Sequence, residues 1–171
     1  DIVYLGNSQP LVTGGGGVTV KYKQVTLSAF FHGRFGQSIV NMARMNNESM
    51  YGSSNQSKAV LRRWKNEGDN TDIPRALYNE GRNYLGSDRF VEKASFVRLK
   101  SMTLSYGFPR KICNRFNVNS LSVFVTGYNL FTWTNYTGQD PEVSTNSSNL
   151  AIDTATTPVA KRFSFGLNMS F

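Results

Sequence analysis

The stretch Lys161-Arg162-Phe163-Ser164-Phe165-Gly166-Leu167-Asn168-Met169-Ser170-Phe171 alternates almost perfectly. Successive side chains of an extended chain point to opposite sides, so Phe163, Phe165, Leu167, Met169 and Phe171 share one face while Ser164, Gly166, Asn168 and Ser170 share the other. That period predicts a strand over 159–171. The same pattern recurs upstream. Leu121, Val123 and Val125 oppose Ser122, Phe124, Thr126 and Tyr128, which predicts a strand over 118–133 whose second face is not purely polar. Met102, Leu104, Tyr106 and Phe108 alternate with Ser101, Thr103, Ser105 and Gly107 in a strand over 93–108. Within it Phe96, Arg98 and Lys100 take the apolar parity, so either a bulge lies near Lys100 or the strand end rises out of the apolar layer. Val18, Val20 and Tyr22, then Val25, Leu27, Ala29 and Phe31, predict strands over 13–22 and 24–34, and the flip of parity at Lys23 marks a tight hairpin.

The five strands are joined by connections of alternating length. Lys23 and the stretch Pro109 to Asn117 are short; 35–92 and 134–158 are long. The first long connection carries helical spacing at Ile39, Met42, Ala43 and Met45, and a short helix over Lys58 to Glu67 stopped by Gly68. Asp69 to Ser87 is turn-rich, and Ser144 to Thr157 is a Ser/Thr/Asn-rich, solvated loop. All 11 acidic residues lie in connections or at strand ends, while the strand cores carry little charge beyond Lys21, Arg98 and Lys100. Aromatics gather at both strand ends: Tyr22, Tyr106 and Phe108 toward the short turns, and Phe35, Phe131, Trp133 and Tyr136 toward the long loops. Roughly 10 residues of tilted strand cross an apolar band about 25 Å tall, so the pattern matches the wall of an outer-membrane barrel, with periplasmic turns and extracellular loops.

Composition narrows the classes. The chain has 171 residues, 39% of them hydrophobic and 18% charged, which excludes collagen, coiled coil and a disordered tail. Every apolar run is broken within a few residues, so no transmembrane helix is predicted. The sequence starts at Asp1 with no basic region ahead of an apolar core, which leads us to expect a mature product or a fragment. A single Cys, Cys113, precludes an internal disulfide and a paired-cysteine zinc site, and a single His, His32, precludes most histidine metal sites. The formal net charge of +8 suits an anionic partner such as nucleic acid, lipid phosphate or an acidic polymer, without choosing among them.

No catalytic constellation emerges, and we expect a non-enzymatic chain without cofactor or metal. Asp140 and Glu142 sit two residues apart in a turn with Pro141 and need not converge as a glycosidase pair. His32 reads as a structural or pore-lining residue, and Cys113, flanked by Arg110, Lys111 and Arg115, as a tolerated thiol. Gly14 to Gly17 lacks the Lys-Ser/Thr of a phosphate loop and reads as a flexible strand entry. Arg62, Arg63, Lys65, Arg75, Arg82 and Arg89 make the first long loop basic, partly neutralised by Glu67, Asp69, Asp72, Glu80 and Asp88. The sequons at Asn47, Asn55, Asn135 and Asn146 are matched by another at Asn168 in mid-strand, which speaks against reading them as glycosylation sites.

Several strings occur together in order: Gly6-Asn7-Ser8-Gln9-Pro10, Phe31-His32-Gly33-Arg34-Phe35-Gly36, Trp64 with Thr71-Asp72-Ile73-Pro74-Arg75-Ala76, and Ala94-Ser95-Phe96-Val97-Arg98-Leu99-Lys100. They continue with Leu104-Ser105-Tyr106-Gly107-Phe108-Pro109, Tyr128-Asn129-Leu130-Phe131-Thr132, Tyr136-Thr137-Gly138-Gln139-Asp140-Pro141-Glu142 and the alternating stretch 163–171. The ordered set resembles the C-terminal region of SusC/RagA-like TonB-linked (TonB-dependent) outer-membrane transporters over essentially the whole chain.

The resemblance implies an all-β fold: the C-terminal five antiparallel strands of a large transmembrane β-barrel of roughly 22 strands, with long extracellular loops that carry short helices. Five strands cannot close such a barrel, so a longer polypeptide is implied, whose plug and TonB-engaging N-terminal parts have no counterpart in these residues. The family imports glycans or peptides with a SusD-like surface lipoprotein, energised through the TonB complex. The partners implied are the remainder of the barrel and plug, that lipoprotein, the barrel-assembly machinery and outer-membrane lipid, with no nucleic acid. Trp64, Arg75, Tyr136, Asp140 and Glu142 become the expected extracellular contacts with partner or substrate. The competing reading of Asp140, Pro141 and Glu142 is that they fix loop geometry. Phe163, Phe165, Leu167, Met169 and Phe171 resemble the C-terminal signal for barrel assembly, an edge strand able to pair with another sheet. Two other classes remain open at this stage: a soluble β-sandwich module binding carbohydrate or nucleic acid, and a segment of a passive porin.

Overall fold

The structure is a computed structural model, described over residues 3–77, 87–145 and 150–171. Glu80, Arg82 and the Asn146 sequon lie outside the described residues. In chain order the strands are β1 (Val12–Tyr22), β2 (Val25–Phe35), β3 (Ser38–Asn41), β4 (Val91–Lys93), β5 (Phe96–Gly107), β6 (Ser120–Thr134), β7 (Ile152–Asp153) and β8 (Arg162–Ser170), with helices α1 (Met42–Asn47) and α2 (Arg110–Arg115). They form two compact units.

One unit comprises Pro10–Phe35, Ser95–Asn135 and Pro158–Phe171 and holds a five-stranded antiparallel sheet in the order β1-β2-β5-β6-β8. Register carries the side-chain alternation across every strand. One row runs Val20, Leu27, Leu104, Val125, Phe165, and the next Tyr22, Val25, Tyr106, Val123, Leu167. Next to the first of these rows, on the side away from the second and on the other face, lies a row of hydroxyls: Thr19, Ser28, Thr103, Thr126 and Ser164. Thr19 and Ser28 share a hydrogen bond at 3.0 Å, and Thr103 and Thr126 share one at 2.8 Å. The β1–β2 hairpin turns on Lys23, whose φ of 52° is left-handed. The irregularity near Lys100 is a bulge: Phe30 pairs with Ser101 but Phe31 with Leu99, which leaves Lys100 over. It returns Leu99 to the apolar face opposite Phe31 and Phe131 and puts Arg98 opposite His32 on the polar one.

Large aromatics on the polar face lie over glycines of the adjacent strand. The Phe30 ring covers Gly15 and Gly17, and the Phe124 ring covers Gly166 so closely that a Cβ there would collide with it. This corrects the reading of Gly14 to Gly17 as a flexible entry, because these residues are interior to β1 and paired throughout with Gly33, His32, Phe31 and Phe30. The short connection after β5 is not a bare turn, since α2 occupies it and buries Cys113, whose thiol donates to the Phe108 carbonyl at 3.6 Å.

The other unit is built from Asp1–Gln9, Gly36–Ala94 and Tyr136–Thr157, the long connections of the first. A small sheet of order β4-β3-β7 organises it. Ile39, expected on a helix, is buried in β3; α1 starts only after Asn41, whose side chain caps it by accepting from the Arg44 N–H at 2.9 Å. The helix expected over Lys58 to Glu67 is a 3-10 turn, Lys58–Arg62. One apolar cluster joins Ile39, Ala94, Tyr136 and Ala151, and another joins Met50, Val60 and Ile73. Lys93, expected at the start of a long strand over 93–108, instead ends β4 of this small sheet, and β5 begins at Phe96.

Candidate functional site

The larger sheet offers one face to its surroundings uncovered. Leu104 is 44% exposed, Leu167 57% and Phe165 81%; Val20 is exposed in the row of Leu104, and Val18, Met102, Phe163 and Met169 in the neighbouring rows. No Asp, Glu, Lys or Arg lies on this face within the strands, because the charged residues of the sheet sit on the opposite parity or at the bulge. A soluble protein rarely exposes an apolar surface this continuous, and a sandwich would bury it. Aromatics end the face on both sides. Tyr106 meets Phe108 edge-on at 5.1 Å near the short turns, and at the other end Trp133 stacks with Phe131 at 6.1 Å and lies 6.4 Å from Phe31. An apolar band bounded by aromatic rings is the solution a lipid bilayer imposes on a strand wall. Among the described residues no helix is long and apolar enough to cross a membrane; a barrel crosses with strands.

Tyr136 departs from this pattern. Expected among the aromatics of the girdle, it lies beyond the end of β6 and is buried in the smaller unit, where its hydroxyl donates to Asp153 Oδ2 at 2.6 Å. Burial, with Asp153 beside it, pushes the phenol well above its ordinary range. Gly138 is needed here, since a Cβ at that position would run into the Tyr136 ring.

Glu92 is the hub of the same unit. Its carboxylate accepts from the Thr137 N–H at 3.0 Å, from the Thr137 hydroxyl at 2.7 Å, from Asn41 Nδ2 at 3.2 Å and from Arg44 Nη1 at 3.1 Å. Burial alone would raise its pKa, but the hydrogen bonds from Thr137, Arg44 and Asn41 outweigh it and hold the carboxyl below its ordinary value. Arg44 also donates through Nε to Glu48 Oε1 at 2.9 Å. One guanidinium therefore clamps α1 to β4. Against this cluster lies a cavity of about 530 Å³, lined by Asn41, Arg44, Glu48, Ser57, Gln139 and Asp153 among others.

The residues expected to meet a partner divide between places. Asp140 and Glu142 come together, Asp140 Oδ1 accepting from the Glu142 N–H at 2.9 Å, while Tyr136 turns to Asp153; the Pro141 carbonyl accepts from Gln37 Nε2 at 3.0 Å. Pro141 is buried, so the turn is tied inward. Trp64 is half-buried, its backbone N–H donating to the Ile73 carbonyl at 2.9 Å, and Arg75 is exposed. Glu92, Arg44, Glu48 and Asp153 went unnoticed in the sequence; the i,i+4 spacing of Arg44 and Glu48 was the one local signal, and no local pattern joins that pair to Glu92 or Asp153. Among the described residues no group of three or more His, Cys, Asp or Glu is placed to hold a metal ion.

No family model matches the chain. It is 29% identical over 174 residues to TonB-dependent receptor P3 of Formosa agariphila, a match that covers 98% of this chain and 17% of that protein. TonB-dependent receptor P26 of the same organism is likewise 29% identical, over 100% of this chain and 18% of the relative. Among solved structures, the RagAB peptide transporter matches 96% of this chain with a TM-score of 0.82 at 27% identity. The chain is a SusC/RagA-like segment of an outer-membrane β-barrel. The RagAB peptide importer in its closed-closed and open-open states matches with TM-scores of 0.81 and 0.79. The SusC/RagA-like segment spans about 17% of the length of the curated relatives it matches.

Proposed function

We propose that this chain is wall and loop of an active nutrient importer that takes up glycans or peptides across the outer membrane with a SusD-like surface lipoprotein and draws energy through TonB. The observation that carries the reading is the two-faced sheet: an apolar face bounded by aromatics, backed by a row of hydroxyls suited to a polar lumen. The names of the relatives support coupling to TonB, and the peptide importer among the structural matches supports a peptide cargo and a lipoprotein partner. In this reading Trp64, Arg75 and the turn at Asp140 and Glu142 belong to the loops that meet partner or cargo, and the strand from Phe163 to Phe171 serves barrel assembly.

Uptake of labelled oligopeptides and oligosaccharides by cells with and without the full-length protein tests it. Uptake that requires the protein and collapses when the proton gradient is discharged is the expected result. Undiminished uptake without the gradient would make the barrel a passive pore.

A further inference from the structure

Charge is divided unevenly along this chain. The unit built on the five-stranded sheet carries Lys and Arg but no Asp or Glu, since every acidic residue falls in the other. Part of that excess gathers at one edge. Lys23 turns the β1–β2 hairpin, and Arg110, Lys111 and Arg115 belong to α2 between β5 and β6; all four are exposed. Strands β2 and β5 are neighbours, and the Gly107 N–H donates to the Gln24 carbonyl at 2.8 Å, so the hairpin turn and the approach to α2 form one rim. The rim adjoins the apolar face. Tyr22 stands in the row of Tyr106 on that face, and the Lys23 ammonium lies over its ring, 5.3 Å from the centroid. At α2, which buries Cys113, Ile112 and Phe116 are exposed beside the cations, a mixture that settles a segment at a lipid interface. An independent observation lies just inside the rim. Val123 and Val125 of β6 are flanked by Leu104 and Tyr106 of β5 and by Phe165 and Leu167 of β8, and these six help to line a groove of about 650 Å³. Short valines between larger side chains leave a trough along the strand, in the volume range of ligand pockets.

We propose that this edge holds an anionic phospholipid of the leaflet on the short-turn side, its phosphate against the cations of α2 with Lys23 beside them, and one acyl chain in the groove over Val123 and Val125. Continuity and charge name the occupant. The groove belongs to the face that an outer-membrane barrel turns to lipid, so a hydrocarbon chain fills it. That chain ends at a basic rim without Asp or Glu, which a headgroup of net negative charge answers; a zwitterionic headgroup carries its own cation and leaves the rim unanswered. An acidic protein would answer the rim but not the groove. The inference rests on the membrane wall and is independent of what the transporter carries.

The test gives the full-length protein in detergent an equimolar mixture of dioleoylphosphatidylglycerol and dioleoylphosphatidylcholine, and measures by mass spectrometry the lipid retained through gel filtration. The two lipids have the same chains, so only the headgroup distinguishes them. Retention of the phosphatidylglycerol is expected to exceed that of the phosphatidylcholine about tenfold at low salt, the preference shrinking as salt screens it. Lys23→Gln, Arg110→Gln, Lys111→Gln and Arg115→Gln combined should bring the two lipids to equal retention, whereas Arg62→Gln with Arg63→Gln on the first long loop should leave the preference intact. Val125→Phe, which fills the groove, should lower retention of both lipids. Equal retention by the wild-type protein, a preference that survives the combined rim variant, or one that the loop variant also abolishes would overturn the proposal. Unchanged retention in Val125→Phe would overturn it too, as would displacement of the lipid by equimolar inorganic phosphate, which would make the rim a site for the free ion. Should the rim variant fail to assemble, the wild-type salt series decides alone: a preference unchanged by salt overturns the proposal.

Discussion

Glu92 shows how much a single side chain holds in the smaller unit. Four donors from three segments converge on one carboxylate, and hydrogen bonds to a charged group are worth about 1.5–3 kcal/mol each, net of the bonds to water that they replace. Glu92→Gln removes the charge that Arg44 and Thr137 answer. Amide exchange at the Thr137 N–H should then accelerate about tenfold or more, equivalent to about 1.4 kcal/mol, and unchanged protection would show that the hub is dispensable. The pH dependence has a fixed sign. A carboxyl held below its ordinary value contributes stability that is full above the ordinary glutamate range, about 4.3, and is lost as pH falls through it toward the depressed native value. Thr137 protection in the wild-type protein should therefore hold at neutral pH and decline on acidification, while Glu92→Gln should be flat across the same range. None of this hub was legible beforehand. Glu92 and Thr137 lie 45 residues apart, and no periodicity relates a carboxylate to a hydroxyl at that separation.

At the scale of the element, legibility follows length. The strands of the larger sheet run 9 to 15 residues, enough for the two-residue period to show, and even the irregularity at Lys100 was visible as a break in parity. Strands β3, β4 and β7 have 4, 3 and 2 residues. A strand that short displays at most two periods, so Ile39 was grouped by helical spacing with Met42 and Met45, residues of the helix that follows it. The two faces of β6 offer a direct comparison. Val123→Arg places a charge on the apolar face between Tyr106 and Leu167 and should cost about 2–4 kcal/mol near the bilayer midplane. Its neighbour Ser122→Arg points to the polar face and should be tolerated. Equal amounts of the two variants, measured as heat-modifiable barrel in purified outer membranes, would count against a lipid-facing assignment.

For the whole molecule, the larger sheet leaves β1 and β8 each paired on one side only among the described strands. An open edge is a template for further pairing, and the apolar face adds a second route to association. The 171 residues expressed alone should accumulate as aggregate and pass into solution only with detergent. A monomer that stays dissolved in plain buffer would be incompatible with a membrane wall. The full-length protein, by contrast, should fractionate with outer membranes.

The Phe124 ring resting on Gly166 bears on descent. Two positions 42 residues apart in the sequence behave as one site, because any side chain at 166 must be made room for at 124. Lineages that diverge from this chain should therefore change the two together, large opposite small, and rarely one alone. Gly166→Val should depress barrel yield, and Phe124→Ala in the same molecule should restore it. A double variant no better than the single one would mean that the two positions drift independently.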